Sequence, residues 1–177
     1  DVEEKVLGTG KYPDDFYFDG MLYGVALRSK YPRARVLEID TAAAKALSGV
    51  EAVLTAEDIP GENKIGHLKH DQYSLIPVGG LTHYLGDAIA VIAAKDRETA
   101  EKAKKLIKVK YEVLPAMLDF HVAKDNEILI HPEDNWRSLC PVGADNKRNL
   151  CATARSEEGD VDGVMAECDT IVEHTYH

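Results

Sequence analysis

The chain is poor in cysteine and has no long apolar run. These two features argue against a disulfide-rich secreted protein and against a membrane-spanning protein. Its 177 residues include 3 cysteines, an odd number confined to the last third, with no C-x-x-C pair. A disulfide-stapled secreted domain is therefore disfavoured. No apolar segment approaches the roughly 18 residues that a membrane span needs, and no signal peptide opens the sequence. These absences predict a cytoplasmic protein that does not enter a membrane.

Positive charge is also in short supply. Lys and Arg number 21 against 31 Asp and Glu, which gives a formal net charge of -10. Because affinity for a phosphate backbone comes from clustered Lys and Arg, nucleic acid is not an expected partner. Hydrophobic residues make up 45% of the chain, which suffices for a core at this length. We expect one main globular domain with an appendage.

Motifs that carry chemistry are absent as well. The sequence contains no G-x-S-x-G elbow, Walker A loop or H-E-x-x-H. Gly8-Thr-Gly10 lacks the preceding strand and following helix of a nucleotide loop, so we interpret it as a turn. Asp14 and Asp15 point to opposite faces of an extended segment and cannot share an acid-base role. The cysteines lack zinc or iron–sulfur spacing: Cys140, Cys151 and Cys168.

Histidines form the best metal-like group in the sequence. His67 and His70 would converge on one ion if their loop folded back, with Asp71 as an oxygen ligand and His83 close behind. An alternative function is therefore a free-standing ligand- or metal-binding module that uses the 61–83 loop. Solvated loop histidines are the expected state, since zinc sites usually combine Cys and His at tighter spacing. We assign no catalytic, cofactor-binding or metal residue in this chain.

What the sequence does contain is an ordered series of strand and helix patterns. The first half predicts strands over 21–28, 35–40 and 50–54, a short helix over 42–47 and a single helical turn over 55–58. A polar stretch without periodicity follows over 61–80. Such stretches are usually functional or cross over a neighbour.

The second half continues the series and then changes texture. After a brief strand over 81–84, the most apolar run, 87–94, predicts a central strand buried on both faces. Asp96 then caps an amphipathic helix that extends to Ile107. The remaining predictions are strands over 108–113, 128–130 and 170–176, a loop over 132–155 and a short helix over 160–167.

These elements predict an α+β fold in which two helices cover one side of a mixed sheet. Residues 5–123 form this domain, and residues 124–177 form a C-terminal linker segment. The chain begins with Asp1 rather than Met, and its last predicted strand stops at His177. We therefore expect an excerpt from a longer protein.

The spacing of the structural residues resembles that of one family. The matching runs follow in order from one end of the domain to the other: Lys5-Val-x-Gly8, Tyr12-x-Asp14-Asp15, Gly20-Met-Leu-Tyr-Gly24, Arg28-Ser-x-x-Pro32-x-Ala34-Arg35, Ile39-Asp-Thr-Ala-x-Ala44, Gly49-Val-x-Ala-Val-Leu-Thr-Ala-x-Asp58-Ile-Pro60, Tyr84-Leu-Gly86-Asp-Ala-Ile-Ala90, Ala100-x-x-Ala103 and Val109-x-Tyr111-Glu-Val-Leu-Pro115. This order is similar to the N-terminal α/β hammerhead domain of the molybdopterin-binding subunit in the xanthine dehydrogenase and aldehyde oxidase family.

The resemblance implies a role within a larger enzyme. The full enzyme would be a molybdenum hydroxylase, an oxidoreductase that hydroxylates a purine, another N-heterocycle or an aldehyde. Molybdopterin and the catalytic glutamate would belong to sequence beyond this domain, and the 2Fe-2S and FAD centres to partner domains or subunits. The fragment itself would be structural, inactive alone, and part of an oligomeric assembly.

Overall fold

Two units make up the chain in the computed structural model, which describes residues 1–66, 70–134 and 142–176. They span Asp1–Ala116 and Met117–His177. The described strands all lie in the first unit: β1 (Tyr23–Arg28), β2 (Ala34–Asp40), β3 (Val50–Leu54), β4 (Lys64–Ile65), β5 (Gln72–Tyr73), β6 (Ala88–Ala94) and β7 (Lys108–Val113). The α-helices are α1 (Val2–Leu7), α2 (Ala42–Lys45), α3 (Arg97–Leu106) and, in the second unit, α4 (Val161–Ala166). Single 3-10 turns lie at Pro13–Asp15, Ala56–Asp58 and Asn146–Arg148.

The central strand of the first unit is β6, which pairs antiparallel with β1 on one side and β3 on the other. Alternate residues of β6, among them Ala90 and Ile92, are fully buried in one cluster with Ala100 and Ala103 of α3. The helix fits this position because its small side chains recur at helical spacing on one side. Asp96 caps it as predicted, its carboxylate accepting from the Thr99 N–H at 2.7 Å.

A second, two-stranded sheet joins β2 to β7. It meets the first sheet through a separate cluster of Val36, Ile76 and Ile89, each 1% exposed or less. In this pair Tyr111 lies opposite Val36.

The predicted α+β class and the positions of the main strands are confirmed, but the mixed sheet is wrong. Every described pairing is antiparallel. Each predicted strand–helix–strand unit sends its two strands to different sheets: β2 and β7 form one, while β3 and β6 belong to the other. The helices α2 and α3 therefore connect two sheets and do not cross over between parallel neighbours.

Burial of β6 on both faces is only partly realised within this chain. Ile89, at its start, is fully buried on the side away from α3. Val91 and Ala93 project to that same side and are only half-buried. Among the described residues of the first unit, helices cover one face of the sheet, and the buried cluster around Ile89 covers one end of the other.

The polar stretch 61–80 has more structure than its sequence predicts. Strands β4 and β5 pair in a short hairpin, and beyond it Leu75 and Ile76 are buried. The Asn63 side chain ties the hairpin base to Leu75, donating to its carbonyl at 2.7 Å and accepting from its N–H at 3.1 Å. Two-residue strands leave no periodicity in the sequence, which is why the hairpin was not predicted.

The second unit is held largely by side-chain bonds to backbone. Asn149, in the left-handed conformation at φ 54, donates through its amide to the carbonyls of Ala123 and Ile128, each at 2.9 Å. Its oxygen accepts from the Ile130 N–H at 2.9 Å. Arg148 makes a two-pronged ion pair with Asp125 at 2.6 and 3.0 Å. These bonds fasten residues 123–130 to the turn at 146–149.

Sequence predictions for the second unit have mixed outcomes. The helix over 160–167 is confirmed as α4, with the Asp160 carboxylate accepting from the Gly163 N–H at 3.0 Å. Strands over 128–130 and 170–176 are wrong. The Asn149 side chain occupies backbone groups of Ile128 and Ile130 that a strand partner would take. At 170–176 the apolar alternation has no described partner strand, and an unpaired strand is not stable.

Helix α1 is an element that the sequence did not predict. An Asp1–Lys5 ion pair at 2.9 Å and a left-handed Gly8 at φ 72 define its two ends. Its residues are exposed. Among the described residues, no helix has both the length and the apolar character required to cross a bilayer.

Replacing Ile92 tests the dominance of the β6 cluster. Because its side chain is fully buried, Ile92→Ala should lower the free energy of unfolding by about 2–5 kcal/mol. The matched control is Ile65→Ala, at a position that is 55% exposed, which should cost less than about 1 kcal/mol. Urea unfolding followed by circular dichroism measures both. Equal losses would show that this cluster does not dominate stability.

Asp96 should make part of the stability depend on pH. The Thr99 N–H, then its hydroxyl, hold the pKa of the Asp96 carboxyl below its ordinary 3.8. A lowered folded-state pKa stabilises the fold above the ordinary value, and this contribution disappears as pH falls through the folded pKa. Asp96→Asn keeps a capping oxygen but cannot titrate. Its melting temperature should therefore fall less than that of the wild type between about pH 5 and about pH 2. Asp14→Asn, the same change at an exposed position, should follow the wild type.

Candidate functional site

The histidine group predicted as a metal candidate is only partly described. His67 lies outside the described residues. His70 forms an exposed ion pair or hydrogen bond with Glu62, with 3.3 Å between Nδ1 and Oε2. His83 lies in the loop before β6, where its backbone N–H donates to the Asp87 carboxylate at 2.6 Å. Within residues 1–66, 70–134 and 142–176, no three His, Cys, Asp or Glu side chains gather closely enough to hold a metal ion.

The other motifs weighed in the sequence have structural roles. Gly8-Thr-Gly10 follows the end of α1, and the N–H groups of Thr9 and Gly10 donate to the Glu4 carbonyl at 2.9 and 3.0 Å. The turn interpretation is therefore confirmed. The Asp15 carboxylate accepts from the Tyr12 N–H at 2.9 Å and closes the following 3-10 turn. Cys151 and Cys168 are exposed, and Cys140 lies outside the described residues.

A small open cavity lies between the end of β2, helix α2 and the turn after β3. Its volume is about 150 Å³, below the roughly 300 to 1,000 Å³ of typical ligand sites. It is lined by Ile39, Thr41, Lys45, Thr55, Ala56, Glu57, Asp58 and Val78. This cavity is too small for a pterin cofactor.

One of the two acidic side chains that line this cavity, Asp58, bonds to the backbone of the same turn. Asp58 accepts from the Thr55 N–H at 2.7 Å and from its hydroxyl at 3.1 Å. The Thr55 N–H first, then its hydroxyl and the charge of Lys45, hold the pKa of the Asp58 carboxyl below its ordinary value. A carboxylate kept ionised and closing a turn is not poised as a general acid.

The buried polar groups of the first unit form a junction between two loops. Thr82, fully buried, accepts from the Ala34 N–H at 2.9 Å through its hydroxyl and donates to the Tyr31 carbonyl at 3.0 Å. Its own N–H donates to the Ala34 carbonyl at 2.9 Å. The segment predicted as a strand over 81–84 makes a single bridge, from Leu81 to Arg35. Hydrogen bonds of the Thr82 side chain thus hold this segment where a ladder of strand pairs is absent.

Asp87 completes the junction from the other end. Its carboxylate, 5% exposed, accepts from the N–H groups of His83 and Tyr84 at 2.6 and 3.3 Å. Arg28, at the end of β1, donates to the Gly86 carbonyl at 2.9 Å. These bonds fix the backbone of the loop before β6. Tyr84 and Leu85 are held outward, at 56% and 67% exposure.

A second exposed apolar region precedes β1. It contains Tyr12, Phe16, Tyr17, Phe18 and Leu22, each at least 46% exposed. Exposed apolar groups of this kind mark interaction surfaces. The sequence signal for this region is the crowding of aromatic residues before the first strand, which the motif search does not detect. In the part of the chain that the structure describes, these apolar groups are exposed, and the buried side chains of Thr82 and Asp87 bond to backbone groups of the fold.

Comparison with known proteins gives a family match over most of the first unit. Residues 7–115 match the model described as the aldehyde oxidase and xanthine dehydrogenase a/b hammerhead domain. The chain is 36% identical over 177 residues to the nicotinate dehydrogenase large molybdopterin subunit of Eubacterium barkeri, covering 99% of this chain and 38% of that protein. It is 38% identical over 176 residues to a probable xanthine dehydrogenase subunit of Bacillus subtilis (strain 168), covering 99% of this chain and 22% of that protein.

Solved structures give the same result. The structure of Cu,Mo-CO dehydrogenase in its carbon monoxide reduced state matches with a TM-score of 0.69 and 34% identity, covering 93% of this chain and 21% of that chain. Aldehyde oxidoreductase from Desulfovibrio gigas matches with a TM-score of 0.67 and 30% identity, covering 73% of this chain and 15% of that one.

Substitution of Thr82 tests the junction. Thr82→Val preserves the shape but leaves the buried Ala34 N–H without its acceptor, so it should destabilise the chain by about 1–3 kcal/mol. Thr82→Ser keeps the hydroxyl and loses one methyl, at a cost of about 1 kcal/mol. Urea unfolding ranks the two variants. If Thr82→Val is the more stable of the pair, the hydroxyl bonds do not hold the loops together.

Proposed function

Because the chain belongs to the aldehyde oxidase and xanthine dehydrogenase family, as its a/b hammerhead domain, we propose that it serves the molybdopterin-binding subunit of a molybdenum hydroxylase. The observation that carries this proposal is the match over 99% of the chain to two subunits of such enzymes at 36% and 38% identity. The whole enzyme would hydroxylate a purine, another N-heterocycle or an aldehyde.

Within that enzyme, the two parts of this chain would have different roles. Residues 5–123 act as the hammerhead domain, and residues 124–177 act as the linker toward the molybdopterin-binding region. Bound molybdenum supplies the oxidative hydroxylation chemistry there. Neither the cavity beside Lys45, at about 150 Å³, nor any group of three metal ligands among the described residues fits the cofactor. No step of the reaction is therefore assigned to these side chains.

The function of the domain would be to contact other parts of the enzyme through its exposed apolar groups. Tyr84 and Leu85, on the loop fixed by Asp87, and the aromatic region before β1 would contact other parts of the subunit. The 61–80 segment remains a candidate contact through its hairpin. The 2Fe-2S and FAD centres would lie in partner domains or subunits of an oligomeric, cytoplasmic enzyme that passes electrons onward.

Metal analysis of two preparations tests this proposal. The 177-residue chain and the full-length polypeptide that contains it are produced in a host that makes molybdopterin. The full-length polypeptide should hold molybdenum and hydroxylate an N-heterocycle or aldehyde. The 177-residue chain should hold no molybdenum above background. Mass spectrometry of the metal, with pterin fluorescence, measures both.

Two outcomes would contradict the proposal. A full-length polypeptide that ends near His177, or one without molybdenum, would remove the enzyme assignment. The competing metal module predicts that an added divalent ion raises the melting temperature of the 177-residue chain and that His70→Ala abolishes this rise.

A further inference from the structure

Within the first unit, one face of the sheet β1–β6–β3 is apolar and is only partly covered by the described residues. The strand register places Ala26 and Leu54 on either side of Val91, and Gly24 and Ala52 on either side of Ala93. Leu54 is 45% exposed, Gly24 is exposed, and the others are half-buried. We call these six residues the open face: Gly24, Ala26, Ala52, Leu54, Val91 and Ala93.

The residue composition of the open face differs from that of a solvated sheet face. An antiparallel sheet with one solvated face ordinarily alternates apolar with polar residues. Here the opposite face is buried beneath α2 and α3, and yet none of the six open-face residues is polar or charged. Both faces therefore have the composition of a core. The sequence of β6 predicts burial on both faces, and the described residues of the first unit supply a helical layer for one of them.

The relatives contain additional polypeptide that could form a second layer over the open face. This chain spans 38% of the nicotinate dehydrogenase subunit, 22% of the Bacillus subtilis subunit and 21% of the CO dehydrogenase chain. Most of each relative thus lies outside the matching region. A second copy of this chain is a poorer cover, because a net charge of -10 on each copy opposes self-association.

We infer that the open face packs against an uncharged, apolar surface from the remainder of the same polypeptide, which completes the second layer of the sheet. This inference rests on the proposed function, since it takes the chain to be one domain of a longer molybdopterin-binding subunit. The contact differs from the exposed loop at Tyr84 because it buries the middle of a sheet.

Thiol labelling at two matched leucines tests the inference. Leu54→Cys places a thiol on the open face, and Leu37→Cys places one on β2, where the leucine is 50% exposed. A charged thiol reagent is applied to each variant, and peptide mass spectrometry separates the new thiol from the native cysteines. In the 177-residue chain the two new thiols should react at similar rates.

In the full-length polypeptide the two positions should diverge. Labelling at Leu54→Cys should be at least about tenfold slower than in the 177-residue chain, because it then requires local opening. Labelling at Leu37→Cys should be slowed much less. Equal rates at Leu54→Cys in both preparations would overturn the inference. Protection already present in the 177-residue chain would also overturn it, since the cover would then be this chain or a second copy.

The same preparations separate this inference from the proposed function. Molybdenum in the full-length polypeptide with an unprotected Leu54→Cys thiol would overturn the packing alone. Protection without molybdenum would overturn the enzyme assignment and leave the packing supported.

Discussion

Burial of β6 is the interaction on which the first unit depends. This strand pairs with β1 and β3, and its side chains enter both apolar clusters, Ile92 in one and Ile89 in the other. The two sheets, the helices α2 and α3 and the buried end of the 61–80 segment all converge on it. A chain with this arrangement has its strongest constraint in the middle of the sheet and its weakest at the surrounding loops.

In the loops, which have neither strand pairing nor an apolar core, polar side chains bond to the backbone. Thr82 and Asp87 bond to backbone groups of two neighbouring loops in the first unit. Asn149 does the same in the second unit. Buried backbone groups must be paired, and one side chain with both donor and acceptor capacity can pair several of them. This is how a chain with few long elements remains ordered outside its sheets.

The sequence predicted the strongest elements because their signals are local. Asp96 followed by an amphipathic run indicated α3, and the unbroken apolar run indicated β6. Strand partners were not predictable, since nothing local tells β2 to pair with β7 and β3 with β6. Asn149 shows a second limit, because its amide takes the bonds that made 128–130 look like a strand. The absence of a candidate active site is an expectation from missing motifs. The exposure of aromatic groups such as Phe18 is visible only in the structure, because it depends on tertiary packing.

The second unit depends on an amide, that of Asn149, which can be lost by deamidation. Its two amide hydrogens face the carbonyls of Ala123 and Ile128, so hydrolysis to aspartate would set a negatively charged acceptor against two other acceptors. A change of one atom would turn two attractive contacts into two repulsions. Slow deamidation on storage would therefore loosen residues 123–130 while the β6 core stayed intact.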